Sequence, residues 1–306
     1  MRNIRMKNIR KHFILFLFSI VPMSLLLISC HKDKPNNNDD MENRSTGTVV
    51  YNAVTDIDGN HYDAVWIGNQ LWMKENLRTT HFADGSVIDN GIAPADSTSY
   101  GYPRVTSSFS VPYRYAPATD ESNVPDYGYL YNWQAVMHGA ASSSANPSGV
   151  QGICPQGWHV PSDAEWTEME NTLIDSGKYH CGDCENCIAK ALASKTGWRE
   201  CTGGGWSYYV DCSVCNEQNT NNATNFTALP AGRIARGENI SLGYITLFWS
   251  ATESGLYEQH DSNPDGSDTT WFEDYAWLRW FNFYYTELKR KHNAKDGAYS
   301  VRCVRD

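Results

Sequence analysis

Alternating apolar and polar positions predict a chain built largely from short β-strands. Residues 48–56 and 61–67 alternate in this way on either side of the turn sequence Asp58-Gly59-Asn60, so they predict a β-hairpin. A third segment, 70–77, follows a second turn at Gly68-Asn69. Later segments of the same kind are 226–229, 244–252, 275–283 and 299–304. Because polar stretches separate these segments, we expect small antiparallel sheets.

One helix is predicted by local sequence alone. Ser162 and Glu165 have the spacing of a capping box, in which each side chain bonds the backbone N–H of the other. Trp166, Met169 and Leu173 then recur at helical spacing and form one apolar stripe. Gly177 is a typical stop. We therefore expect a helix of about 13 residues with a single buried face.

The remaining segments complete the predicted fold class. Residues 127–139 and 188–194 have apolar positions near helical spacing. Two long polar segments, 83–126 and 253–274, lack a sustained period and are predicted as loops. Together with the strands, these elements predict one α+β domain that occupies residues 48–306.

The N-terminal segment has the pattern of an export signal. Five basic residues lie within the first eleven positions, and 13–28 is apolar apart from two serines and a proline. Small Ser29 then precedes Cys30, an order of parts typical of bacterial lipoproteins. We expect 1–29 to be a removed signal peptide and Cys30 to be lipidated; an uncleaved membrane anchor is the alternative.

This expectation sets the location of the protein. We expect the polar residues up to position 47 to form a disordered tether, so 30–47 would join the lipid to the domain. The protein would then lie in the cell envelope, held by lipid to the outer membrane, with its domain at the surface.

The body of the protein is acidic and aromatic. Residues 1–30 hold five basic and no acidic residues, which leaves 20 Lys+Arg against 35 Asp+Glu, a charge of about −15. Such a charge argues against nucleic acid as a partner. The 11 Trp, 18 Tyr and 10 Phe residues suit a large core, and the alternative is that some of them line a carbohydrate site.

Eight cysteines follow Cys30. Two are Cys154 and Cys303, and the other six lie in one short segment: Cys181, Cys184, Cys187, Cys201, Cys212 and Cys215. An even number of cysteines in an exported protein favours disulfides, whereas the C-x-x-C spacings are also used by zinc sites. Spacing does not fix which cysteines pair.

Six blocks, in order along the chain, resemble one known family. They are Gly68-Asn69-Gln70-x-Trp72-Met73, Gly128-Tyr129-Leu130-Tyr131-Asn132-Trp133, Cys154-Pro155-x-Gly157-Trp158-His159, Leu229-Pro230-Ala231-Gly232, Phe248-Trp249-Ser250-Ala251-Thr252 and Ser300-Val301-Arg302-Cys303-Val304. These blocks resemble the Fibrobacter succinogenes major paralogous domain. That family is found in exported and lipid-anchored proteins and has no established activity.

The resemblance implies a C-type lectin-like fold, distantly similar to that of formylglycine-generating enzymes. It also implies that Cys154 pairs with Cys303, which would tie the start of the helix region to the last strand. The segment from about 178 to 220 has no counterpart in the family's pattern. We interpret it as a Cys-rich insertion held by three internal disulfides.

The same resemblance implies a candidate calcium site. In C-type lectins a long loop between two strands holds calcium, and the calcium bridges to sugar hydroxyls. Oxygen-rich loops suit this hard cation. The candidate ligands are Asn263, Asp265, Glu273 and Asp274. An ordinary turn is the alternative explanation of Asn-Pro-Asp-Gly at 263–266.

Three tryptophans near this loop are candidates for stacking on sugar rings: Trp271, Trp277 and Trp280. Packing in the core is the alternative role for these side chains. His159, beside the helix cap, is interpreted as a hydrogen-bonded structural residue.

We expect a lipid-anchored module that binds carbohydrate or protein at the cell surface. One alternative is an oxidoreductase of the formylglycine-generating type. Those enzymes use paired cysteines near the C terminus that bind copper, whereas Cys303 has no cysteine close to it in sequence. Another alternative is a structural envelope or pilus-associated component without a small ligand. No metalloprotease, serine-hydrolase or dinucleotide motif is present in the sequence.

Overall fold

The structure, a computed structural model, describes residues 45–91, 111–201, 211–235, 238–262 and 268–306. The predicted signal peptide, Cys30 and most of the tether lie outside these residues. The described residues form an α+β domain, as the sequence predicts, with many short strands and a few short helices.

The strands are β1 (Val49–Thr55), β2 (His61–Ile67), β3 (Gln70–Met73), β4 (Asp89–Asn90), β5 (Tyr113–Tyr115), β6 (Leu130–Asn132), β7 (Trp158–His159), β8 (Arg233–Ala235), β9 (Glu238–Ile240), β10 (Ile245–Ser262), β11 (Asp268–Asn282), β12 (Lys289–Ala294), β13 (Ala298–Tyr299) and β14 (Val304–Arg305). The helices are α1 (Val124–Tyr127), α2 (Trp133–Met137), α3 (Asp163–Asp175) and α4 (Ala189–Leu192).

Three sheets are formed by these strands. A five-stranded antiparallel sheet has the order β1-β2-β3-β14-β7, so the last strand lies beside the first hairpin. A six-stranded sheet has the order β4-β5-β6-β13-β8-β9, in which only β4 and β5 are parallel. The third sheet, β10-β11-β12, is antiparallel and contains the two longest strands.

Strands β10 and β11 contribute to apolar clusters on both of their faces. The paired residues Trp249 and Leu278 belong to one cluster. Phe248, one position before Trp249, and Phe281, three positions after Leu278, belong to the other. This division follows from the alternation of side chains along a strand. Around these residues, the third sheet therefore lies between the two apolar clusters.

Helix α3 is confirmed with the predicted cap and buried stripe. The Ser162 hydroxyl accepts from the Glu165 N–H at 3.2 Å, and the Ser162 N–H donates to the Glu165 carboxylate at 2.9 Å. Trp166, Met169 and Leu173 are all buried. The Trp166 ring lies 4.5 Å from the ring of Trp72, so the helix packs on the five-stranded sheet.

Four disulfides are present, which confirms the expectation of disulfide bonding. Cys154 is bonded to Cys303, the pair that the family resemblance implies, with their Cα atoms 5.9 Å apart. The other three bonds lie within the Cys-rich segment and are Cys181–Cys212, Cys184–Cys187 and Cys201–Cys215.

The prediction of one helix over 127–139 is wrong. Leu130 to Asn132 are extended in β6, and only Trp133–Met137 is helical, as α2. Gly128 makes the entry to β6 possible, because a Cβ there would lie 2.7 Å from Leu77 O and its φ is +72°. Neighbours far away in sequence thus override the local spacing.

The predicted strand over 226–229 is also wrong. Its carbonyl groups accept hydrogen bonds from a side chain instead of from a neighbouring strand: the buried Arg302 guanidinium donates to Phe226 O at 2.7 Å and to Thr227 O at 2.8 Å. Ala228 makes only an isolated bridge, to Ala193.

The predicted loop over 253–274 is wrong in its described part. Strand β10 continues to Ser262 and β11 begins at Asp268, with these two residues paired. Beyond Tyr275, β10 and β11 form a ribbon of two strands. Apolar and polar residues do not alternate regularly along these segments, so their sequence is not typical of half-buried strands.

Other short strands are missed or differ in length. Strands β8, β9 and β12 are not predicted, and the predicted strand over 299–304 is divided between β13 and β14. The segment 83–126 contains β4 and β5 in its described part. Strands of two to three residues, such as β8 and β9, carry too few positions for a period to be recognised, whereas the six residues of β12 are missed because they are almost all polar.

Candidate functional site

One face of the third sheet carries a row of aromatic rings. Side-chain alternation places Trp271, Tyr275 and Trp277 of β11 on the same side. The strand register adds Tyr257 of β10, which pairs with Glu273, and His292 of β12, which pairs with Trp277. We call these five residues the aromatic face.

The rings of the aromatic face support one another. The Tyr257 ring lies 4.9 Å from the ring of Tyr275 and 4.3 Å from that of His292. The His292 ring is stacked on Trp277, with centroids 5.2 Å apart and an angle of 20° between the planes. Each of the five side chains is half-buried. This packing fixes the Tyr, His and Trp277 rings in place before any ligand arrives, whereas Trp271 is held by its hydrogen bond to Glu273.

The N terminus of α3 lies at one end of the aromatic face. The buried Arg279 guanidinium bonds the Asp163 carboxylate at 2.7 Å and also bonds Glu170. Arg290 bonds the same Asp163 carboxylate at 2.8 Å, and its guanidinium lies 3.4 Å from the centre of the Trp277 ring. An ion-pair cluster thus fixes the position of Trp277 relative to the helix.

Charges near this cluster set two protonation states. Burial raises the pKa of Asp163, but hydrogen bonds and charges from Arg290 and Arg279 outweigh burial and leave the pKa below its usual value. Burial, followed by the charges of Lys291 and Arg290, lowers the pKa of His292. Near pH 7, His292 therefore presents a neutral ring to its aromatic neighbours.

Polar groups lie among the rings. The Glu273 carboxylate accepts from the Trp271 indole N–H at 2.8 Å and from the Tyr275 hydroxyl at 3.3 Å. Ser254 Oγ lies 3.2 Å from His292 Nδ1. The aromatic face therefore combines flat apolar rings with hydrogen-bonding groups at their edges.

The structure separates the predicted stacking residues. Trp271 and Trp277 lie on the aromatic face. Trp280 lies on the opposite side of β11, where it packs against the core and makes an edge contact with Tyr285 at 5.4 Å. Its role in the fold is therefore packing, the alternative that the sequence left open.

The predicted calcium ligands are also separated. Asn263 and Asp265 lie outside the described residues. Glu273 belongs to the aromatic face, whereas Asp274 points to the other side of β11, with a carboxylate oxygen 4.0 Å from Lys295 Nζ. The described ligands thus do not lie side by side on one surface.

Tyr257, Tyr275 and His292 are members of the aromatic face that sequence reasoning missed. A signal for part of the set is present in the alternation of Trp271, Glu273, Tyr275 and Trp277. The contributions of Tyr257 and His292 depend on the register of three strands, which only the structure supplies.

His159 has the structural role expected of it. Its Nε2 lies 2.6 Å from the Glu165 carboxylate and its Nδ1 lies 2.7 Å from the Asp306 carboxylate. Burial lowers the pKa of His159, but the hydrogen bonds and charges of these two carboxylates outweigh burial and raise it overall. The imidazole ring joins the cap of α3 to Asp306.

The eight cysteines in the described part of the chain are all in disulfide bonds. Cys303 is buried and bonded to Cys154, so it is not one of two adjacent thiols of the kind that the oxidoreductase alternative requires. Among the described residues, no cluster of three His, Cys, Asp or Glu side chains is arranged to hold a metal ion.

In the same part of the chain, no helix has both the length and the apolarity to cross a membrane.

Comparisons with known proteins place the chain in a family. A model of the Fibrobacter succinogenes major domain matches residues 65–305, which is most of the chain and most of the described fold. No match is found among curated proteins or among solved structures. The chain therefore belongs to the Fibrobacter succinogenes major domain family.

Proposed function

We propose that the protein is a cell-surface binding module that holds carbohydrate against its aromatic face. The observation that supports this proposal is the row of five aromatic side chains on one side of β10, β11 and β12. Four of the rings pack on one another, and the Trp271 indole donates to Glu273 beside them. The name of the family gives no functional information, so the proposal rests on these side chains.

The chemistry of a sugar matches this surface. A pyranose ring has flat patches of C–H groups and a rim of hydroxyls, so it needs an apolar plane with polar groups beside it. Trp and Tyr supply large rigid planes that lose little conformational entropy on binding. The Glu273 carboxylate is placed to accept hydrogen bonds from hydroxyls at the edge of such a plane.

The length of the aromatic face favours an oligosaccharide. Trp271 and Trp277 are six positions apart on one extended strand, a span of about 20 Å. This span exceeds one sugar ring, so several rings of an extended glycan would contact the face at once. Because the body of the protein carries a charge of about −15, we infer that the glycan is neutral.

Two further proposals complete this view. We propose a C-type lectin-like fold, supported by the final strand β14 beside β3 and by the Cys154–Cys303 bond. We also propose that lipid on Cys30 holds the domain at the outer membrane surface, with 30–47 as tether. Mass spectrometry of the exported protein tests the anchor: an unmodified Cys30 in the cell-associated protein would contradict it.

An array of neutral oligosaccharides tests the proposed function. The soluble domain from residue 45 onward should bind a subset of extended glycans, and the double variant Trp271→Ala, Trp277→Ala should lose them. Parallel arrays with calcium and with a chelator test whether the candidate ligands Asn263, Asp265, Glu273 and Asp274 contribute. If the wild-type domain binds no glycan, or if the double variant binds equally well, the proposal fails.

A further inference from the structure

One disulfide of the Cys-rich segment differs from the others in its spacing. Cys184 and Cys187 are three positions apart, whereas the remaining bonds span 14, 31 and 149 positions. Cysteines with this C-x-x-C spacing also occur in thiol–disulfide exchange sites. The binding function does not involve this pair, so its chemistry needs a separate explanation.

The two sulfurs differ in access. Cys184 is half-exposed, whereas Cys187 is only 2 % exposed. A thiolate from solution can therefore approach Cys184, while Cys187 is shielded from it. Cys154 and Cys303 are both 0 % exposed, whereas Cys181, Cys201 and Cys212 are half-buried like Cys184, so the short spacing and not access alone distinguishes this pair.

The backbone around the pair is held by contacts that do not depend on the S–S bond. The Cys181 N–H donates to Cys187 O at 2.9 Å. The Asn186 side chain donates to Leu288 O at 2.7 Å and to the Glu170 carboxylate at 3.0 Å. These bonds tie the C-x-x-C loop to α3 and to the segment before β12. Two free thiols in this loop would therefore remain near each other and could close again.

The inner sulfur is closer to hydrogen-bond donors than the outer one. The Cys184 N–H lies 3.3 Å from Cys187 Sγ, and the Thr286 hydroxyl lies 3.4 Å from Cys187 Sγ and 3.7 Å from Cys184 Sγ. Donors to a thiolate stabilise its charged form, and a stabilised thiolate is a better leaving group. The geometry therefore favours attack on Cys184 with departure of Cys187.

We propose that Cys184–Cys187 is a reversible thiol–disulfide exchange site whose reaction partner is a small thiol. A thiolate of the partner bonds Cys184 Sγ, the Sγ–Sγ bond breaks, and Cys187 leaves as a thiolate that takes up a proton. A second partner thiolate then attacks the partner's own sulfur in the mixed disulfide, and Cys184 leaves as a thiolate that takes up a proton. The pair gains two electrons and two protons, and the two partner thiols become one disulfide.

Graded reduction of the folded protein tests this proposal. The full-length protein is equilibrated in buffers of rising reduced glutathione, free thiols are alkylated, and each cysteine of the domain is followed by mass spectrometry. Cys184 and Cys187 should be alkylated at a glutathione concentration roughly tenfold below that needed for the other six cysteines. Near-ultraviolet circular dichroism should remain native at that step.

Two double variants serve as controls. Cys184→Ser with Cys187→Ser should lose the early two-thiol step, and Cys201→Ser with Cys215→Ser should retain it. Reduction of all the disulfides at one concentration would overturn the proposal, as would reduction of Cys184 and Cys187 only when the native spectrum is lost. If a double variant does not fold, the wild-type titration still decides between these results.

Discussion

At the scale of single residues, buried cations hold distant segments of this domain together. The Arg302 guanidinium is 0 % exposed and donates to Asn76, Met73 and Phe226, all more than 70 positions away. Burial lowers the pKa of Arg302 to about 9. An arginine in a sequence is ordinarily expected at the surface, so the network around it was not predictable from the residue alone.

Arg279 provides a direct test of such a buried cation. Arg279→Met should lower the free energy of unfolding by about 3–5 kcal/mol, because Glu170 and Asp163 lose the charge that offsets their burial. Arg290→Met, which removes a half-exposed partner of the same Asp163, should cost less than about 1 kcal/mol. Urea denaturation measures both, and equal costs would contradict the assigned difference.

His159 makes stability depend on pH in a defined direction. Its pKa in the folded protein is raised above the ordinary 6.5, so its stabilising contribution is complete below about pH 6.5 and is lost as the pH rises through the folded pKa. His159→Gln should remove this part of the pH dependence. Urea midpoints measured from about pH 6 to about pH 9 check it, and an unchanged slope in the variant would contradict the assignment.

At the scale of elements, predictability follows how local the determining contacts are. Helix α3 was predictable because its cap and its apolar stripe lie within thirteen consecutive residues. Strand β6 was not, because its partners β5 and β13 come from other parts of the chain. The distal ribbon of β10 and β11 was missed because solvent reaches both of its faces, which removes the usual apolar alternation.

The cap of α3 can be tested by two serine variants. Ser162→Ala should destabilise the domain by about 1 kcal/mol, since the Glu165 N–H then loses its acceptor. Ser176→Ala, at the other end of the helix, removes a bond to Leu173 O and should cost only a few tenths of that value. Thermal unfolding compares them. Equal shifts in Tm would argue against a special role for the capping box.

At the scale of the whole molecule, the fold brings the C-terminal strand back to the first hairpin. Strand β14 pairs with β3 and β7, and the Cys154–Cys303 bond lies next to this junction. The family resemblance implied the Cys154–Cys303 bond, and the predicted strands and helices indicated the α+β class. They did not predict the three-sheet arrangement, because strands such as β13 and β14 have only two residues and the distal part of β10 and β11 lacks an apolar alternation.

Removal of this disulfide should affect the whole domain. Because the bond spans 149 positions, Cys154→Ala with Cys303→Ala should reduce the free energy of unfolding by about 2–5 kcal/mol. Cys184→Ser with Cys187→Ser, which opens a very short loop, should cost less. Denaturant titration of the two variants checks this order, and the reverse order would contradict the roles assigned to the two bonds.

The proposed function of the whole domain depends on the aromatic face. Trp271 and Phe272 are adjacent on β11 but lie on opposite sides of it, and Phe272 is 64 % exposed. The most direct test is a calorimetric titration of an extended neutral glycan into two variants. Trp271→Ala should weaken binding roughly tenfold or more, as expected for loss of an aromatic contact worth about 1.4 kcal/mol, and Phe272→Ala should leave it unchanged. Equal weakening in both variants, or undiminished binding by Trp271→Ala, would contradict the claim.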